Sequence, residues 1–251
     1  MQIQHNIQAL NSTRNLGINN KALGKNLEKL SSGYRINRAG DDAAGLAISE
    51  QMRSQINGLN QAATNAEDAI GLIQTAEGAL TEVHSMLQRM VTLYTQSANA
   101  TMNSTAANNV KVEVAALMDE IDRIADYTDF NGTKPLTNLG KMTFQIGPSG
   151  NETIKVTAES MNKAALLNSV NSVDVMNVTD ANGSLDAINE AINKVSKYRA
   201  SLGAAQNRLE HTVNSLKVTS ENIQAAESRI RDTNMPDEIT AFTKNNILLQ
   251  S

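Results

Sequence analysis

A mainly α fold is predicted from this sequence: an elongated antiparallel helical bundle, a coiled-coil rod, with a small β-hairpin in the middle of the chain. Three observations predict it. The apolar residues are small and aliphatic, with 31 Ala against three Phe, four Tyr and no Trp in 251 residues. Such side chains cannot fill a wide globular core, but they suit a slender seam in which each layer needs only a few methyl groups. Proline occurs only at Pro135, Pro148 and Pro236, so nothing interrupts a long helix on either flank. Apolar residues also recur at alternating steps of three and four, the spacing of one helix face.

Taken in order, Ile3, Ile7, Leu10, Leu16, Leu23, Leu27 and Leu30 form a first apolar stripe. Residues 31–42 break it with Ser-Ser-Gly and Ala-Gly-Asp-Asp and read as a non-helical connector, with Asp41 or Asp42 capping the next helix. That helix carries a sustained seam at Leu59, Ala62, Ala66, Ala69, Ile73, Ala76, Leu80, Val83, Leu87, Met90 and Tyr94. A shorter seam follows at Val110, Val114, Leu117, Ile121 and Ile124. Turn signals then cluster between residues 131 and 150. They flank two alternating segments, residues 142–146 and 153–157, that read as a hairpin.

The returning helix steps through Ile188, Ala191, Val195, Tyr198, Leu202, Ala205, Leu209, Thr212, Leu216, Thr219, Ile223, Ala226 and Ile230, with two Thr as compromises. At a rise of about 1.5 Å per residue the two long seams extend roughly 50 to 65 Å. Beyond Pro236, residues Ile239, Phe242, Ile247, Leu248 and Leu249 form a last apolar stripe. The out-and-back path predicts that both termini lie at one end, with the neighbourhood of Leu30 facing that of Ile239.

Composition also narrows the chemistry. Without Cys there is no disulfide, thiol nucleophile or thiolate metal site. His5, His84 and His211 are isolated, and no phosphate loop, nucleophile elbow or zinc-binding His pair occurs. Neither an enzyme, a cofactor nor a metal site is expected. No apolar run reaches the roughly 18 residues of a membrane span, and the N-terminus lacks the features of a cleaved signal peptide. The first 40 residues carry Arg14, Lys21, Lys25, Lys29, Arg35 and Arg38 against Glu28 alone. A nucleic-acid-binding coiled coil is therefore one alternative, although a solvated helix face explains the charge more simply.

Several words of the sequence resemble bacterial flagellin: residues 7–11 (IQALN), 27–37 (LEKLSSGYRIN), 40–48 (GDDAAGLAI), 96–99 (QSAN), 225–233 (AAESRIRDT) and 242–250 (FTKNNILLQ). The resemblance covers both flanks and implies a structural subunit of the flagellar filament. Such a subunit is exported through the flagellar apparatus without a cleaved signal peptide, with a chaperone, and polymerises outside the cell. It implies a terminal helical domain of residues 1–42 plus 234–251, its C-terminal half truncated. It also implies a helical rod domain of residues 43–130 plus 182–233 and a short variable β-hairpin region of residues 131–181.

Assembly falls to Ile3, Ile7, Leu10, Leu23, Leu27, Leu30, Ile239, Phe242, Ile247 and Leu248. Family members continue past the Asn-Asn-Ile-Leu-Leu-Gln run with more apolar helix, so Ile3, Ile7 and Leu10 are expected to lack intramolecular cover and polymerisation to be impaired. By the same resemblance Gln88, Arg89, Leu93 and Glu113 match a Toll-like receptor recognition motif, while Val91 and Thr92 depart from it. A hook-filament junction protein shares the terminal signatures and is a second alternative.

Overall fold

The computed structural model describes residues 6–99, 103–137, 140–167 and 178–250. Along the chain run α1 (Ile7–Ser32), α2 (Ala43–Ser97), α3 (Ser104–Tyr127), β1 (Lys141–Gln145), β2 (Thr153–Thr157), α4 (Lys163–Leu166), α5 (Val178–Arg231) and α6 (Met235–Gln250). The abundance of Asn has a local use. Side-chain oxygens of Asn6, Asn103 and Asn162 accept the backbone N–H of Ala9, Ala106 and Ala165, capping α1, α3 and α4. Asp42 does the same for α2 by accepting from Gly45 N at 2.9 Å. Asp41 instead organises the preceding turn, accepting from the amides of Arg38 and Asn37, with Lys25 Nζ 3.4 Å away. The Arg38 amide chiefly holds its carboxyl below the ordinary carboxylate range, against desolvation and with help from Lys25 and the Asn37 amide.

Two compact units emerge, residues 61–216 and residues 1–60 plus 217–251. In the first, every predicted α2 seam position from Ala62 to Tyr94 is buried. Opposite it, α5 buries Ile188, Ala191, Val195, Tyr198, Leu202, Ala205 and Leu209, as the stepping predicts. Beyond Leu209 the phase changes. Val213 and Ser220 are buried in place of Thr212 and Thr219, because two consecutive four-residue steps (205 to 209 to 213) replace the alternation. Such a stutter turns the helix face by about one residue position, leaving Thr212 half-buried and Thr219 exposed.

A similar adjustment occurs in α3, where Ala107, Val110, Val114, Met118, Ile121 and Ala125 are fully buried. The predicted Leu117 and Ile124 are only partly covered.

The middle of the chain is the predicted hairpin: β1 and β2 pair antiparallel with Phe144 opposite Ile154 and Met142 opposite Val156. This region is also structural in a way the sequence reading missed. Leu136, Ile154, Val156, Met161, Leu166 and Leu167 join the same core cluster as the α2, α3 and α5 seams. The Tyr198 hydroxyl donates to Pro135 O at 3.3 Å, and Asp122 accepts the Lys163 N–H at 3.1 Å.

In the second unit α1 packs on α6. Gly33, at φ 75°, ends α1 in the left-handed conformation that Gly adopts without strain, and its N–H returns to Lys29 O. The chain then runs beside the end of α5. Tyr34 and Asp232 form an antiparallel bridge, Arg35 N donates to Arg231 O at 2.7 Å, and Thr233 N donates to Gly33 O at 3.0 Å. The Arg231 guanidinium lies 4.7 Å from the Tyr34 ring centroid and pairs with Glu50 at 2.8 Å.

Candidate functional site

Two surfaces carry the residues singled out in the sequence. The first is the helix pair α1·α6. Leu23, Leu30 and Phe242 are half-buried, while the one fully buried residue of α1 is polar. Asn26 is 8% exposed. With its amide nitrogen turned towards α6, the orientation that satisfies both ends of the amide, it donates to Glu238 Oε1 at 2.9 Å and accepts from Asn245 Nδ2 at 3.1 Å. Lys29 Nζ adds an ion pair to Glu238 at 3.6 Å.

This pairing leaves the front of α1 uncovered all round, every residue from Asn6 to Ile18 being exposed. Ile7 and Leu10 are 61% and 62% exposed, and Leu16, Ile18, Leu27, Ile239, Ile247 and Leu248 are also open to solvent. No residue of α6 is fully buried. Of the predicted assembly residues, Leu23, Leu30 and Phe242 are half-buried. Ile7, Leu10, Leu27, Ile239, Ile247 and Leu248 face outward, and Ile3 lies outside the described residues.

The second surface joins α2 and α3. Arg89 Nε donates to Glu113 Oε1 at 2.8 Å, and its Nη2 is 2.7 Å from the same oxygen. Both side chains stay about half exposed, so their charges remain accessible. Gln88 is exposed and hydrogen-bonded to His84 Nε2 at 3.0 Å. Leu93 behaves differently: it is 2% exposed and belongs to the core, so its side chain offers no contact surface. The heptad count could have shown this, since Leu93 neighbours the seam residue Tyr94 on the same buried side.

The basic front segment is largely occupied within the chain. Arg14 donates to Asn11, Lys25 pairs with Asp41, Lys29 with Glu238, Arg38 with Glu28, and the Arg35 guanidinium donates to Ile230 O. Five of its six cations thus have local partners, which suits a solvated helix face better than a phosphate-binding arm. Among the described residues no group of three His, Asp or Glu is placed to hold a metal, and no helix is long and apolar enough to cross a membrane.

Comparison with known proteins places this geometry. Residues 3–141 match the bacterial flagellin N-terminal helical region and residues 185–251 the bacterial flagellin C-terminal helical region. The chain belongs to the bacterial flagellin family. It is 49% identical to flagellin of Bacillus subtilis and 50% identical to flagellin of Halalkalibacterium halodurans, in each case over all of this chain and 93% of the relative. It is 47% identical to the flagellar filament 33 kDa core protein of Treponema phagedenis over the same shares.

Among solved structures, Bacillus cereus flagellin superposes with TM-score 0.55 at 30% identity, over 65% of this chain and 94% of that one. A flagellar hook-associated protein from Vibrio parahaemolyticus gives TM-score 0.66 at 12% identity, covering 76% of this chain and all of that one, and shares the fold alone. This flagellin is accordingly a structural protein of the flagellar filament.

Proposed function

We propose that this flagellin polymerises through its terminal helices, each copy burying the exposed apolar residues of α1 and α6 against neighbouring copies. One observation carries the reading: a helix pair that leaves Ile7, Leu10, Leu16, Ile239, Ile247 and Leu248 in water. Each such side chain gains about 1.5 to 3 kcal/mol on full burial, so a contact repeated along a filament supplies the driving force. In this reading the terminal domain is residues 1–42 plus 234–251, the rod domain residues 43–130 plus 182–233, and residues 131–181 the outward region. The subunit leaves the cell through the flagellar export apparatus, with a chaperone and without a cleaved signal peptide, and works outside it.

The test is sedimentation and electron microscopy of the full chain beside Leu10→Asp and Ile247→Asp. Loss of long polymers in both variants, with unchanged helical content, supports the proposal; polymers of wild-type length in both overturn it. Assembly restricted to short stubs in the wild type would favour a hook-filament junction role instead.

A second reading rests on the exposed Arg89–Glu113 pair. We propose that this patch, with Gln88, is the contact for a Toll-like receptor, and that Leu93 serves only to hold α2 in place. A receptor reporter assay on monomeric Arg89→Ala and Glu113→Ala should show a weaker response than wild type; an equal response from both removes the reading.

A further inference from the structure

Three Asn-Gly dipeptides occur in the chain: Asn57-Gly58, Asn131-Gly132 and Asn182-Gly183. This pair is chemically special, because Gly carries no side chain to shield its amide nitrogen from the preceding Asn carboxamide. The fold treats the three unequally. Gly58 lies inside α2 and Gly183 inside α5, where the amide is committed to the helical ladder. Asn131-Gly132 forms instead an exposed two-residue turn, with φ 50° at Asn131 and 82° at Gly132. The reciprocal pair between Phe130 and Thr133, at 2.9 and 3.0 Å, closes it.

We infer that Asn131 is a site of spontaneous covalent modification, its side-chain amide being lost through a cyclic imide to give aspartate and isoaspartate. The Gly132 backbone nitrogen, giving its proton to hydroxide, attacks the Asn131 side-chain carbonyl carbon. A new carbon–nitrogen bond forms, the bond to the side-chain amide breaks, and ammonia leaves. Water then opens the ring at either carbonyl. The net change is one water consumed and one ammonia released, with no oxidant or cofactor.

The position gives the change a structural consequence. Asn131 lines a cleft of about 540 Å³ with Asn65, Asp68, Phe130, Thr143 and Phe144. Phe130 rests against α2 at Gly71, where a Cβ would meet its ring at 3.5 Å. Modification adds a carboxylate to a cleft that already contains Asp68. In the isoaspartate product it also lengthens by one carbon the turn that seats this ring.

Holding the full-length protein folded at mildly alkaline pH and mapping its peptides over time tests the inference. Conversion at Asn131 should exceed that at Asn57 at least about tenfold, the factor that even about 1.4 kcal/mol of helix opening imposes. In urea the two rates should converge, and Asn131→Gln should abolish the isoaspartate signal of the turn. Equal conversion at Asn57 and Asn131 in the folded chain overturns the inference. So does an inert Asn131 in the folded chain when the urea-unfolded chain converts.

Discussion

The helices of residues 61–216 and the terminal pair α1·α6 use the same small apolar residues and finish differently. Twenty-four residues of α3 bury six apolar side chains, whereas 26 residues of α1 bury only Asn26. In the first region α2, α3, α5 and the hairpin close on one another, so each seam is covered by its own chain. In the terminal pair α1 packs on α6, and Ile7, Leu10, Leu16, Leu27, Ile239, Ile247 and Leu248 stay exposed. The periodicity of a stripe shows that something covers it. Whether the cover comes from the same chain depends on how many helices the chain brings to that place.

Substitutions should separate the two regions by size of effect. The largest belongs to the closed core: Ile73→Ala or Leu80→Ala, at fully buried positions, should lower unfolding stability by about 2 to 5 kcal/mol, measured by urea denaturation. Next is an alkaline effect confined to the same core. Burial pushes the Tyr94 phenol up to about 12, with the nearby Ser184 side chain acting slightly against the shift. The folded state therefore keeps its proton after the unfolded chain has released it near pH 10. The resulting stability is intact below pH 10 and falls away as the pH rises through about 12, a loss of about 2 to 3 kcal/mol. Thermal melts of Tyr94→Phe across that range should fall less steeply than wild type.

In the terminal pair the effects shrink. Asn26→Ala removes the partner of Glu238 and Asn245 and should cost about 1 to 2 kcal/mol locally. Faster amide exchange in α6, with none in α3, would confirm that the damage stays in the pair. Smallest is Leu10→Ala, expected to change monomer stability by no more than about 0.5 kcal/mol because the side chain is already in water. A monomer destabilised as much by Leu10→Ala as by Leu80→Ala would break the comparison.

The long helices and the hairpin were legible because each rests on a local signal, a heptad step or a turn dipeptide. The seam of α5 was legible only as far as Leu209. Past it the three–four rule led to Thr212 and Thr219, and the structure shifts one residue, burying Val213 and Ser220, whose hydroxyl is met by Asn60 Oδ1. Asn26 was invisible for a related reason: nothing in an isolated amphipathic helix announces that Glu238 and Asn245, more than 200 residues away, will meet a buried amide. At the candidate receptor surface, Arg89 and Glu113 proved to be paired across α2 and α3, whereas Leu93 belongs to the interior. A motif is a linear string, and it does not show which of its members the packing of neighbouring helices will cover.

The crossing of the two chain passages at Gly33–Arg35 and Ile230–Thr233 has a mechanical meaning. Each passage alone is a single covalent thread leaving the terminal helices. Backbone bonds from Arg35 to Arg231 and from Thr233 to Gly33, with the guanidinium of Arg231 laid on Tyr34 and anchored to Glu50, tie the threads side by side. Tension or twist on either thread is shared with the other before one extends alone, so this short splice behaves as a two-ply cord.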